Sequence, residues 1–290
     1  MALATVVALV AAATYALATA LLHRSAQLVG AAARAGSGVG RFVSSNVRHP
    51  VWILGMVTEG VGFALHALAL HAGPITLVQP LLVSGLVFAL PIRQLLDRRR
   101  PEMAELAWAA VLAVGLVVFL LAATPSEGPS NAPDRIPTIL ATILVAAGML
   151  GSGVLGLRWS GRRAAAVLGF GAGLGFAAVA GLLKAVTDEA SHHGLALFAN
   201  WPVYALVPAG FGGLLLNQLA FRVAPLRHSL PTMSTVDPLV SLLIGAAVFD
   251  EPFRHSAPAV AGEVLGLVLI VAPIIALTRR EPDPGYATQR

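Results

Sequence analysis

The sequence predicts an all-α membrane protein of about nine transmembrane helices, with helices 1–4 and 6–9 forming an inverted-topology repeat. Three observations predict it. The 290 residues are 57% hydrophobic and 11% charged, with a mean hydropathy of +0.80, far too apolar for a soluble globular domain. The apolar residues fall in continuous runs of roughly 20, which is what a helix rising about 1.5 Å per residue needs to cross a hydrocarbon core of about 30 Å. A membrane barrel would alternate instead. Finally, motifs in the first half of the chain recur in the second.

The runs lie at about 2–22, 51–71, 75–96, 104–123, 136–156, 164–186, 201–221, 231–249 and 258–277, and define spans 1 to 9. Span 1 reads as a retained helix and not a signal peptide, because no basic residue precedes it and His23 and Arg24 follow it. The segment 25–49, with Arg34, Arg41 and several glycines, reads as an interfacial helix, the alternative being an additional span; 187–200 is its shorter counterpart. The tail from Glu281, with Pro282 and Pro284, reads as disordered.

Basic residues set the orientation, since they are retained on the cytoplasmic side. An outside N-terminus puts Arg24, Arg34, Arg41 and Arg48, then Arg93, Arg98, Arg99 and Arg100, then Arg158, Arg162 and Arg163, then Arg222 and Arg227, and finally Arg279, Arg280 and Arg290 inside. The outer segments keep Arg135 and Arg254, both near acids. Lys184 falls at the outer end of span 6. The expected location is the bacterial cell membrane, with a cytoplasmic C-terminus.

The repeat runs through Pro50-Val51-Trp52, Gly62, His66, Ala69 and Pro74, matched by Pro202-Val203-Tyr204, Gly213, Asn217, Ala220 and Pro225. Ala113–Val117 resembles Val264–Val268, and Ala20–His23 resembles Gly181–Lys184. With one unmatched span between the copies, each span and its counterpart cross in opposite directions. The expected units are therefore a first repeat at 1–123, a linking helix at 124–160, a second repeat at 161–278 and a tail at 279–290. Gly169, Gly171, Gly173, Gly175 and Gly181 in span 6, with Gly210, Gly212 and Gly213 in span 7, predict close helix packing.

Several function classes drop out. There is no cysteine, so disulfides, thiolate metal sites and cysteine nucleophiles are excluded. No P-loop, HExxH or GxSxG motif occurs, so neither an enzyme nor an ATP-driven pump is expected, and no cofactor is called for. The pI of 10.6 comes from arginines in short gaps between spans, which argues for topology and against nucleic-acid binding.

Polar residues inside the spans are the candidates for function. Gln79-Pro80 in span 3 and Asp237-Pro238 in span 8 occupy matching positions. Proline removes a helix hydrogen bond and frees a carbonyl, so two matching breaks predict a site between the halves. Glu59, mid-span, is the leading candidate: a charge there costs at least about 2.5 kcal/mol unless it is paired, hydrated or metal-bound. It reads as a cation ligand or proton acceptor, against a hydrogen-bonded packing device. Asp237 and Gln79 offer hard oxygens, against a helix-capping role for Asp237. His66, seven residues after Glu59, and its counterpart Asn217 read as cargo contacts or as interhelical glue, and Gln218 more weakly so. Lys184 either snorkels to water or acts as a counter-charge to Glu59. Glu263 reads as structural, and Asp250 and Glu251 as a solvated helix end. His192 and His193 with Asp188 and Glu189 read as a polar loop, the alternative being metal capture.

The run Gly73-Pro-Ile-Thr-Leu-Val-Gln-Pro-Leu81, together with Leu-Leu-Lys184, Leu216-Asn217-Gln-Leu-Ala220 and Phe249-Asp-Glu251, resembles the NIPA-type magnesium transporters and their bacterial relatives. These form a branch of the drug/metabolite transporter superfamily. The resemblance spans nearly the whole chain. It implies nine helices and a transporter of Mg²⁺. The residues themselves give Glu59, His66, Gln79, Lys184, Asn217 and Asp237 as the candidate substrate-binding set, with Glu59 and Asp237 the candidate metal ligands. This chain departs from the pattern at Phe63, where that branch has its helix-2 acid; Glu59 lies one turn away. Three readings follow: an alternating-access carrier of a small polar solute, Mg²⁺ if the resemblance extends to cargo; a proton-coupled exporter of a small organic metabolite or drug; and a non-transporting scaffold. The partners implied are the bilayer and a small polar solute or divalent cation, with homodimerisation left open.

Overall fold

The structure is a computed structural model that describes residues 1–33, 48–97, 102–126, 135–224, 228–252 and 256–280. It is a helical bundle: α1 (Ala2–Ala33), α2 (Pro50–Ala72), α3 (Ile75–Val83), α4 (Gly85–Asp97), α5 (Met103–Ala123), α6 (Arg135–Arg158), α7 (Gly161–His193), a 3-10 segment (Gly194–Ala199), α8 (Trp201–Val223), α9 (Leu230–Val248) and α10 (Ala257–Arg280). Among the described residues there is no strand, and eight stretches are long and apolar enough to cross a membrane. These are the expected spans 1–6, 8 and 9; α8, where span 7 was expected, is a continuous helix as long as α2, at 23 residues. The chain is an all-α, multi-span membrane protein.

Three expectations need correction. First, α1 does not stop near residue 22 but runs to Ala33, taking the first part of the segment read as interfacial; residues 34–47 and the tail 281–290 lie outside the described residues. Likewise α7 continues to His193 instead of ending near 186. Second, span 3 is two helices, and the break is not at Gln79-Pro80. Pro80 lies within α3, and the chain turns at Ser84, whose N–H bonds the Leu81 carbonyl three residues back and whose hydroxyl donates to the same oxygen at 2.6 Å. The missing side chain at Gly85 matters here, since a β-carbon would lie 3.2 Å from the Ala12 carbonyl of α1. Third, Asp237-Pro238 breaks nothing: α9 runs continuously from Leu230 to Val248. The carbonyls of Thr76 and Ser234, four residues before each proline, still lack the amide donor that proline removes.

Packing follows the small residues, because lipid gives apolar helices no hydrophobic drive to associate. The central element is α7: 72% of its spanning stretch is buried, against 17% for α6. Its glycines let neighbours in close. A β-carbon at Gly169 would meet the Ser229 carbonyl at 2.6 Å, at Gly173 the Met233 carbonyl at 2.9 Å, and at Gly175 the Gly213 Cα at 2.7 Å. Around it, α7 packs mainly on α8 and then α9, as α1 packs mainly on α2 and then on α3 and α4; α5 pairs with α10, and α6 rests on α7. The two halves meet most extensively where α5 lies along α10, and also where α3 lies on α9 and α2 on α7.

Candidate functional site

One face of α2 carries Gly55, Glu59, Gly62, His66 and Ala69, spaced three or four apart so that they stack on one side of the helix. All are buried except Glu59, which is half-buried. Gly62 is where α1 comes close: a β-carbon there would lie 3.0 Å from Tyr15 Cδ1. The Tyr15 ring thus sits between Glu59 and His66, edge-on to the His66 ring with centroids 6.3 Å apart at 81°. The Gln79 amide N–H donates to His66 Nε2 at 3.2 Å, which places the ring proton on Nδ1. Both side chains are buried.

Asp237 belongs to α9, two turns inside the helix, so it does not cap it. It accepts a hydrogen bond from Ser241 Oγ at 3.4 Å, and Ser241 is fully buried. Tyr15 lies within electrostatic reach of both Glu59 and Asp237. Asn217 takes no part in the hydrogen bonds above; its Oδ1 is buried without a partner among the described residues.

A second polar cluster lies at the end where α2 finishes and α3 begins. Glu251 follows α9 and is only 3% exposed, so it is not the solvated residue expected. Its Oε1 accepts from the Ile75 amide at 2.6 Å and its Oε2 from the Thr76 amide at 2.8 Å. These are first-turn N–H groups of α3, which no carbonyl of that helix can satisfy. Asp250, at φ 50°, is exposed as expected and turns the chain so that Glu251 points inward. Burial pushes the Glu251 carboxyl above its usual range, against the opposing pull of the Thr76 and Ile75 hydrogen bonds and the Lys184 charge.

Lys184 neither snorkels nor reaches Glu59. It is 6% exposed, donates to the Leu70 carbonyl at 2.9 Å and pairs with Asp188 at 3.3 Å. Phe249 covers it, with the ring centre 6.0 Å from Nζ. Glu263 is buried on α10. The side chains of His192, His193 and Gln218 lie outside the described residues.

The sequence is 30% identical over 237 residues to an uncharacterized protein of Corynebacterium glutamicum, an alignment covering 81% of this chain and 82% of that one. The chain belongs to the family of that protein. No family model and no solved structure matches it. The description of this family member names no cargo, so the functional reading comes from the geometry.

Of the six sequence candidates, the structure joins His66 directly to Gln79, sets Glu59 on the same face of α2 as His66 and Asp237 against Ser241 on α9, and places Lys184 in the other cluster. Among the described residues no three His, Asp or Glu side chains converge, so no all-protein metal cage is present there. Two residues of these clusters were not among the six candidates: Tyr15, and Glu251, which was read as part of a solvated helix end. Tyr15 is the sole tyrosine before Tyr204, and that isolation was its one signal. Glu251 could have been found by asking what accepts the first-turn amides of a helix that starts right after Gly73-Pro74.

Proposed function

We propose that this protein is a secondary transporter of a small polar solute, working by alternating access between halves 1–123 and 161–278, in the cell membrane with the N-terminus outside. The observation that carries the reading is that each half places one acid inside the apolar bundle, Glu59 half-buried on α2 and Asp237 on α9, hydrogen-bonded to the buried Ser241. Two acids inside an apolar bundle are costly unless something that moves through the bundle neutralises them. A packing device would need only one such residue, hydrogen-bonded in place. Both acids on opposite halves would bind cargo when the halves are together and lose one partner when either end opens.

Mg²⁺ is the cargo we put first. It holds most of its water and binds through one or two carboxylates, so Glu59 and Asp237 suffice without a third ligand. Entry into a cell negative inside by about 100 mV gains about 4.6 kcal/mol for a divalent ion. A proton-coupled organic solute is the second reading, favoured by the neutral His66–Gln79 pair, which offers hydrogen bonds and no charge. Purified protein in liposomes separates them. Mg²⁺ influx that follows an imposed potential and falls at least tenfold in Glu59→Gln and Asp237→Asn is the expected result. Proton-coupled movement of an organic solute without Mg²⁺ flux would replace the cargo. If neither flux occurs while both variants lose thermal stability, the acids are packing devices and the scaffold reading holds.

A further inference from the structure

We infer that Glu251 is a latch that holds the α2–α3 end of the bundle closed. The carboxylate belongs to the second half, 175 and 176 residues from its two donors, yet both of its oxygens are committed to the first turn of α3 in the first half. Lys184 makes the parallel connection, from α7 of the second half to the last turn of α2 at Leu70. Both bonds therefore straddle the Gly73-Pro74 turn, and the halves cannot part at this end without breaking them.

The surroundings are built for contact and not for display. A β-carbon at Gly245 would lie 2.7 Å from Glu251 Oε2 and 3.2 Å from Thr76 Cγ2, so no other residue fits there without moving the carboxylate. The Glu251 amide itself bonds the Gly245 carbonyl at 3.1 Å, which ties the latch to α9, the helix that carries Asp237. Beneath the latch Val78, Leu70 and Ala69 are fully buried, and Ala69 lies one turn from His66 on the face of α2 that carries the central cluster. Hydrogen bonds to an ionised acceptor are about twice as strong as neutral ones and are lost together when the carboxylate leaves.

The inference takes alternating access as its frame, but its test needs no cargo, so failure of the latch and failure of the transport reading are separate outcomes. The chain has no cysteine, so single cysteines can report access without further engineering. Ala69→Cys reports on the path below the latch, and Ala172→Cys, fully buried between α7 and α8, reports on general loosening. Vesicles of each orientation are treated with a membrane-impermeant maleimide. In Glu251→Ala, labelling of Ala69→Cys from the α2–α3 side should rise about tenfold or more, as loss of charge-assisted bonds predicts, with Ala172→Cys unchanged. Glu251→Gln keeps one acceptor oxygen and should fall between. An unchanged rate at Ala69→Cys, or an equal rise at Ala172→Cys, overturns the latch.

Discussion

Tyr15 and Glu251 show how a side chain gains its chemistry from what the fold brings to it. Tyr15 touches Gly62, meets His66 edge-on and stands within reach of two acids, so removing its hydroxyl tests the central cluster without emptying it. Tyr15→Phe keeps the ring packing on Gly62. It should leave thermal stability within about 1 kcal/mol, as an isosteric change does, while reducing flux severalfold. An unchanged flux in proteoliposomes would remove Tyr15 from the cargo path. For Glu251 the fold supplies two first-turn amides of α3, one to each carboxylate oxygen, so a neutral amide side chain there accepts through one oxygen instead of two and holds this end more weakly.

The helices were legible and their joints were not. Runs of apolar residues located eight spanning stretches, because hydropathy over about 20 residues is a sum that local detail barely disturbs. Breaks depend on single hydrogen bonds. Pro80 and Pro238 were read as break points, yet α3 and α9 continue through them, and the real turn is at Ser84, set by a three-residue bond and by the approach of Gly85 to α1. Nothing in the sequence places Ala12 next to Gly85. The glycines of span 6 were legible as packing positions, since only a missing side chain lets a neighbouring backbone in. The same rule gives a prediction for the α5–α10 pair. A β-carbon at Gly115 would lie 2.7 Å from the Leu269 carbonyl carbon, and one at Gly266 2.6 Å from Phe119 Cα. Those are backbone atoms, which no rotamer can move aside. Gly115→Ala and Gly266→Ala should each cost about 1–3 kcal/mol in detergent unfolding. Gly60→Ala, with nothing within 4 Å, should instead be neutral or stabilising by about 0.5–1 kcal/mol, since alanine is the better helix former.

At the scale of the molecule, the packing gathers two ends of opposite character. A β-carbon at Gly73 would touch Ala4, so α1 starts where α2 finishes, and Glu251 brings the finish of α9 to the same end as the start of α3. The opposite end joins the later part of α1 to the start of α2 through Leu22 and Gly55, and the start of α7 to the start of α9 through Gly169 and Ser229. Arg24, Arg48, Arg162 and Arg163 fall at or near these second contacts, and Lys184, Asp188 and Glu251 at the first. If arginines are held inside, the latch faces out, and a reporter fused after Arg290 reads as cytoplasmic. A cysteine at the exposed Ser191 should then be labelled by an impermeant maleimide in intact cells, and one at the exposed Arg48 only after lysis. The opposite pattern would overturn the orientation. It would also reverse the mechanism, since a latch on the cytoplasmic side would close the path to the cell interior, and the same negative potential would then pull a divalent cation toward the closed end.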